Sequence, residues 1–250
     1  SVEQAKKNWE QEISTEDTFE TVKERAQQAW DEKLGIIEVE GATEDQLVTL
    51  YSNMYRLFLY PNSAYENVGT VEEPVYKYAS QFALNPCTTS TATETCTKIE
   101  DGKVYVNNGF WDTYRTTWPA YALLTPTQAG EMIDGFVQHY RDGGWISRWS
   151  SPGYADLMVG TSANIAFADA YLKGVTNFDV QNFYQSAVKD AAVVPPNNNV
   201  GRKGMVTSVF DGYTSTSTGH GLSWAMDGYI NEFGIANLAK ALAEKGDESD

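Results

Sequence analysis

The chain has 250 residues, of which 42% are apolar, and its 10 Phe, 15 Tyr and 7 Trp exclude a disordered chain and supply a hydrophobic core. Its 18 basic and 34 acidic side chains give a net charge of −16, which argues against nucleic-acid binding. No apolar run approaches the roughly 20 residues that cross a bilayer, and no signal-peptide pattern opens the chain, so we expect no membrane partner.

Three helices are predicted in the first 60 residues. A short segment covers about residues 3–12, and a second helix, capped by Ser14 or Thr15, runs to about Leu34. The third is predicted from apolar residues that recur every three or four positions before Pro61, namely Leu47, Leu50, Tyr51, Met54, Tyr55 and Phe58.

Residues 68–108 carry a different pattern. Residues 75–78 and 103–106 alternate between apolar and polar side chains on either side of a turn-rich centre, which predicts a β-hairpin inserted between helices. The centre is a threonine-rich stretch between Cys87 and Cys96. A disulfide there would close a small loop and imply an oxidising compartment, and the alternative is two free thiols at the surface.

The segment 107–119 combines sugar-binding residue types. Trp111 and Trp118 stand close to Asp112 and Arg115. Aromatic faces stack on the C–H faces of sugars, and charged groups bind sugar hydroxyls, so this set suits carbohydrate. In the alternative interpretation, an Asp112–Arg115 pair fixes a helix start and the tryptophans lie in the core.

A helix predicted over residues 127–141 leads into a second aromatic loop, 142–160. This loop holds Asp156, for which Arg148 is the nearest basic residue in sequence. It either lines a site or closes the end of a helical barrel. Two shorter helices are then predicted at about 162–173 and 179–192.

The last predicted helix runs from Leu222 to Leu242 and is apolar on more than one face, so we expect it to be buried on both sides. His220 precedes it, and Asp227 lies one turn inside it. A carboxylate on such a helix must be paired, hydrogen-bonded or metal-bound. His220 alone is more typical of a structural histidine.

Helices joined by long aromatic loops predict a helical toroid whose loops gather at one end, and function is expected in those loops. The nucleophile elbow, the P-loop, the dinucleotide fingerprint and the HExxH zinc motif do not occur in the sequence.

Four segments resemble the catalytic domain of glycoside hydrolase family 92, the calcium-dependent exo-acting α-mannosidases. The resemblance extends at least over residues 45–245. The motifs that carry it are GFWDTYRTTWP (109–119), HYRDGGWISRW (139–149), LMVGTSANIAFADAYLKG (157–174) and FGIANLAKAL (233–242).

The resemblance implies an all-α fold that forms part of an (α/α)6 toroid, with the small β-hairpin inserted near 68–108. Residues 1–250 would then be a partial catalytic domain, and the family's β-sandwich and the rest of the toroid would lie in other segments with which this chain associates. It also implies a secreted, cell-surface or periplasmic protein.

The family inverts configuration with an acid that protonates the leaving oxygen, an aspartate base that activates water, and Ca²⁺. The base motif is absent from this sequence and is expected beyond Asp250. The resemblance assigns Trp111, Asp112, Arg115 and His220 to substrate binding and Asp227 to the metal. Many members carry a glutamate near the place of His220.

The family's acid is a glutamate four residues before the methionine of the Met-x-Gly motif, and this position holds Tyr154. A phenol is a poor general acid at neutral pH, whereas phosphate, with a second pKa of about 6, leaves as an anion without protonation. The substitution therefore favours mannose-1-phosphate linkages, which a subgroup of the family cleaves.

Two alternatives remain open. One is an ordinary α-1,2-type mannosidase acting on N-glycans or mannans, in which Asp156 or a residue outside this chain supplies the proton. The other is a non-catalytic toroid that binds carbohydrate.

Overall fold

The computed structural model describes residues 1–82, 91 and 95–246. Within these residues the fold is mainly helical, and the predicted helices are confirmed. The α-helices are α1 (Val2–Glu12), α2 (Phe19–Leu34), α3 (Glu44–Leu57), α4 (Phe110–Thr113), α5 (Thr117–Leu124), α6 (Pro126–Gly143), α7 (Ala163–Leu172), α8 (Val180–Ala192), α9 (Met205–Asp211) and α10 (Gly221–Glu244).

The start of α2 differs from the prediction. Thr18 is the N-cap, and its side chain and that of Thr21 each accept a hydrogen bond from the other's backbone N–H. The predicted caps Ser14 and Thr15 are wrong because the Asp17 carboxylate accepts the N–H of Ser14 at 2.7 Å and holds this segment in a turn.

In the described part of the chain, short antiparallel strands form three small sheets, ordered β2-β3-β4, β1-β5 and β6-β7. The strands are β1 (Asn62–Ser63), β2 (Glu66–Asn67), β3 (Tyr76–Ala79), β4 (Ile99–Asp101), β5 (Tyr105–Val106), β6 (Asn108–Gly109) and β7 (Trp149–Ser150).

The β-hairpin predicted near 68–108 is confirmed, but its second strand is β4 and not residues 103–106. β3 pairs with β4, with Tyr78 opposite Glu100, and β5 pairs with β1 instead. Gly102, at a φ of 114°, ends β4 and turns the chain, so residues 103–106 leave the sheet that contains β3. Cys87 lies outside the described residues, and the disulfide therefore stays a prediction.

The main core lies between α5, α6, α7, α8 and α10. Phe110, Trp118, Phe136 and Phe167 are buried and meet in edge-to-face and stacked contacts with ring centroids 5.0 to 6.2 Å apart. Trp118 is thus a core residue, as the alternative interpretation held. Along α10, a Cβ on Gly234 would lie 2.8 Å from Ile165, so glycine lets α7 and α10 approach closely.

The prediction that α10 is buried on both sides is wrong for the described chain. Trp224, Leu238 and Leu242 face the core, whereas Leu222, Met226 and Phe233 are 77%, 54% and 68% exposed. The cause is that no described element packs on this second face. We call these three exposed residues the α10 outer stripe. None of the described helices is long and apolar enough to span a membrane.

Candidate active site

A cavity of about 900 Å³ lies where the aromatic loops meet. Trp111, Asp156 and His220, taken from three separate predicted segments, all line it. The prediction that the loops gather at one place is therefore confirmed for these residues. Met158, Val159, residues 194–198 and residues 203–206 also line the cavity, and Thr218, Gly219, Ser223 and Trp224 complete the lining.

Backbone pairing brings the first two loops together. β6 pairs with β7, so that Asn108 lies opposite Ser150. Trp111 follows β6 closely in the chain, and this pairing therefore brings it near the second loop. A Cβ on Gly109 would lie 2.5 Å from the ring of Trp149, and only glycine permits this approach. Trp111 is 41% exposed and presents apolar ring surface to the cavity, which suits stacking on a sugar.

Asp156 is the carboxylate of the cavity. Its Oδ1 accepts a hydrogen bond from Nη2 of Arg148 at 2.7 Å, and Nζ of Lys203 lies 2.7 Å from Oδ1 and 2.8 Å from Oδ2. Both carboxylate oxygens of Asp156 therefore contact a cationic side chain, and these contacts fix the orientation of the carboxylate. Lys203, which also lines the cavity, was missed because it lies 47 residues from Asp156; its place between Gly201 and Gly204 was the available signal.

Tyr154 does not line the cavity. Its hydroxyl lies 2.7 Å from the carbonyl oxygen of His139 and 2.8 Å from that of Trp145, and its proton is donated to this pair. Burial raises the pKa of Tyr154 well above its usual value. The side chain at the expected acid position therefore faces the end of α6, and its proton does not reach the cavity.

Two cavity residues other than glycine adopt left-handed backbone conformations. Met158 has a φ of 52° and His220 a φ of 61°. Such conformations are uncommon for side chains of this size and cluster at functional sites. His220 is exposed, lies between Gly219 and Gly221, and starts α10 without a capping side-chain hydrogen bond. It is therefore a cavity residue and has no role in the core.

Asp227 is half-buried behind Trp111. Burial raises its pKa, while the charge of Arg115 and a hydrogen bond from the Trp111 side chain oppose this rise. A Cβ on Gly160 would lie 2.9 Å from the Asp227 Cβ, which places Asp227 beneath the Met-x-Gly motif. The Trp111 side chain and the Arg115 guanidinium are therefore the neighbours that favour the charged form of Asp227.

The remaining predicted residues lie nearby without lining the cavity. The Arg115 guanidinium lies over the Tyr114 ring, 4.5 Å from its centroid. Asp112 is exposed, and the ion pairs found among the described residues do not include one between Asp112 and Arg115, so the pairing in that alternative interpretation is wrong. A direct contact of Asp112 or Arg115 with a sugar stays a prediction.

The described residues do not fit a calcium site. Calcium takes six to eight oxygen ligands, and no group of three or more His, Cys, Asp or Glu in the described ranges could hold a metal ion. Asp227 has an indole and a guanidinium as neighbours in place of other carboxylates. A metal bound by Asp227 would need its other ligands from elsewhere.

Known proteins share this fold and sequence. A secreted glycosidase of the fungus Arthroderma benhamiae, itself uncharacterized, is 25% identical over 97% of this chain. A family GH92 inverting mannosidase of Bacteroides thetaiotaomicron matches with 25% identity, 96% coverage and a TM-score of 0.76. A GH92 α-mannosidase from the same organism, solved with mannoimidazole, has the same fold at 18% identity, 99% coverage and a TM-score of 0.78.

The chain spans 27% of the fungal relative and 33% and 30% of the two bacterial chains. The family model for the glycosyl hydrolase family 92 catalytic domain matches residues 4–250. Because this match covers nearly the whole sequence, the chain belongs to the catalytic domain of glycosyl hydrolase family 92.

Proposed function

We propose that this chain is part of an inverting exo-α-mannosidase that removes terminal α-mannose. The observation that carries the proposal is the cavity itself, where the exposed ring of Trp111 stands with Asp156, Lys203 and His220. An aromatic face for the sugar ring and charged groups for its hydroxyls are what a pyranose site requires. Family membership and the 25% identity to an inverting mannosidase support it.

We further propose that the preferred linkage is mannose 1-phosphate. The Tyr154 hydroxyl points away from the cavity, and the oxygens of Asp156 are engaged by Arg148 and Lys203. No carboxylic acid among the described cavity residues is therefore free to protonate a leaving oxygen. The second candidate is an ordinary α-mannosidase. The observation that favours it is the presence of Asp156, a carboxyl group, in the cavity lining.

The activity is tested with the complete enzyme on α-mannose 1-phosphate and an α-1,2-mannobiose, with release of mannose and its anomeric configuration followed by NMR. We expect β-mannose as the first product. Release of α-mannose would contradict inversion. Binding of mannose without turnover of either substrate would instead establish the non-catalytic carbohydrate-binding protein.

We also propose that the chain acts together with other segments of a longer enzyme that is secreted or held at the cell surface or in the periplasm. The α10 outer stripe supports this, since it leaves an apolar helix face uncovered. The relatives are about three times longer, and the fungal one is a secreted glycosidase. The general base and the remainder of an (α/α)6 toroid belong to those segments in this proposal.

Calcium dependence is a prediction for the complete enzyme. We expect activity to disappear in excess chelator and to return when calcium is added, because the family uses this ion. The isolated chain should bind calcium weakly by calorimetry, since its described residues lack a ligand set. Full activity in excess chelator would contradict the requirement.

Replacing Trp111 with alanine should weaken mannose binding by about 0.5–1.5 kcal/mol, or roughly 2- to 12-fold in Kd, because it removes the stacking face. The melting temperature should change little, since the ring is 41% exposed. Calorimetric titration with mannose measures the effect. Trp9→Ala, at a 65% exposed position of α1, is the matched control, and equal Kd values for both variants would contradict the assignment.

A further inference from the structure

Arg148 is buried directly behind the cavity, and its side chain is 1% exposed. It follows α6 and precedes β7 by one residue, so both the helix end and the β6–β7 pair fix its backbone. A fully buried guanidinium requires several acceptors, because each unsatisfied N–H carries a desolvation cost. The identity of those acceptors defines what Arg148 does.

The acceptors lie in two separate segments of the chain. In the first, Nη2 donates to Asp156 Oδ1 at 2.7 Å and Nε to the Leu157 carbonyl at 3.4 Å. In the second, Nη1 donates to the Gly201 carbonyl and Nη2 to the Asn198 carbonyl, both at 2.9 Å. One side chain therefore joins two segments that are more than 40 residues apart in sequence.

The guanidinium also lies over the ring of Trp224, 5.0 Å from its centroid, and Trp224 lines the cavity from the first turns of α10. Trp224 is nearly fully buried, so this contact is shielded from water. Arg148 thus contacts three of the segments that enclose the cavity.

We infer that Arg148 is a positioning residue that holds the Asp156 carboxylate and two segments that contribute to the cavity lining, residues 156–159 and 194–206, in one geometry. It acts on the substrate through Asp156 and the shape of the cavity, without touching the sugar. This inference rests on the proposed mannosidase function and extends it to a residue behind the site.

The geometry requires arginine. Its planar fork carries five N–H donors in fixed directions, which reach acceptors on opposite sides at once. Lysine keeps the charge but presents three donors around a single atom, and it cannot bond Asp156, Asn198 and Gly201 in one plane. Arg148→Lys therefore removes these hydrogen bonds between Arg148 and the two segments, and it retains a positive charge.

The first test compares Arg148→Lys with Arg141→Lys in the complete enzyme. Arg141 also forms ion pairs, with Asp134 and Asp179, but neither of these partners lines the cavity, and its variant should keep wild-type kinetics. Arg148→Lys should lower kcat/KM on the order of 10²-fold, because displacements of about 1 Å have this effect. Equal kinetics for the two variants would overturn the inference.

A double-mutant cycle separates positioning from general stability. If Arg148 acts through Asp156, the double variant Arg148→Lys/Asp156→Asn should be no worse in kcat/KM than the more impaired single variant. If the decreases in kcat/KM of the two single variants simply multiply in the double variant, the inference is overturned. An inactive wild-type enzyme would instead refute the proposed mannosidase function.

Hydrogen exchange gives a readout that needs no activity. In Arg148→Lys, amides in residues 156–159 and 194–206 should exchange faster, while α6 stays protected. If Arg148→Lys does not fold, Asp156→Asn tests the same contacts, because it removes the carboxylate that Arg148 binds. Faster exchange should then appear at 156–159 and around Lys203, which loses the same carboxylate, while 194–198 stays protected. An increase across the whole chain, or none, would overturn the inference.

Discussion

The complete enzyme should hydrolyse α-mannose 1-phosphate about 10²- to 10⁴-fold more efficiently than an α-1,2-mannobiose, in kcat/KM. This range is what a well-placed general acid contributes, and only the second substrate needs one. Phosphate departs as a stable anion, whereas the sugar alkoxide must be protonated. The Tyr154 proton is donated to backbone carbonyls, so the cavity offers no substitute at that position.

The variants of Tyr154 sharpen this result. Tyr154→Phe should leave both activities unchanged and lower the melting temperature, because two buried carbonyl oxygens lose their donor. Tyr154→Glu should destabilise the fold without creating an acid, since its carboxylate would face those carbonyls. Comparable efficiency on both substrates would show that another group, inside or outside this chain, supplies the proton.

The contribution of His139 to the stability of the protein should decrease as the pH falls from about 6.5 towards 3. Burial lowers the pKa of this residue from 6.5 to about 3, so the unfolded chain takes up a proton that the folded chain excludes. The stabilisation is complete above pH 6.5 and lost towards pH 3. The shift corresponds to a free energy on the order of 5 kcal/mol.

The surroundings of His139 explain why it stays neutral. Its Nε2 donates to the Tyr105 carbonyl at 2.8 Å, so Nδ1 must accept the hydrogen bond from the Ser147 hydroxyl, also at 2.8 Å. A second proton on Nδ1 would displace that donor. The Phe82 ring stacks on the imidazole at 3.6 Å between centroids and offers no compensating charge.

The measurement is the melting temperature against pH for the wild type and His139→Gln. The difference between the two proteins should shrink as the pH falls towards 3. This comparison is needed because burial raises the pKa of Asp190 to about 7, which by itself lowers stability as the pH rises from about 4 to 7. His220→Gln is the control, and a similar pH dependence in both variants would contradict the role of His139.

The loops and the family resemblance pointed to residues that the structure brings to one cavity. Trp111 and Asp156 were candidates because aromatic and charged side chains cluster in their loops, His220 entered through the resemblance, and all three line the cavity. Local patterns also predicted the helices, since their apolar spacing is set within one element. These features depend on residues that are close together in sequence, and the sequence alone can therefore predict them.

Features that depend on distant partners could not be predicted in this way. Lys203 reaches Asp156 from 47 residues away, and no local pattern indicates that contact. The direction of the Tyr154 hydroxyl is set by the carbonyls of His139 and Trp145 at the end of α6. The pairing of β3 was mispredicted for the same reason, since alternation identifies a strand but not its partner.

The α10 outer stripe also determines how the isolated chain behaves at different ionic strengths. Its attraction for a second copy acts only at contact, while the repulsion of molecules with a charge of −16 acts over longer distances. Added salt reduces the range of that repulsion to about 8 Å at 0.15 M and leaves the apolar attraction in place. Dilute buffer is therefore the condition that keeps the separated chain dispersed, and salting the solution promotes precipitation.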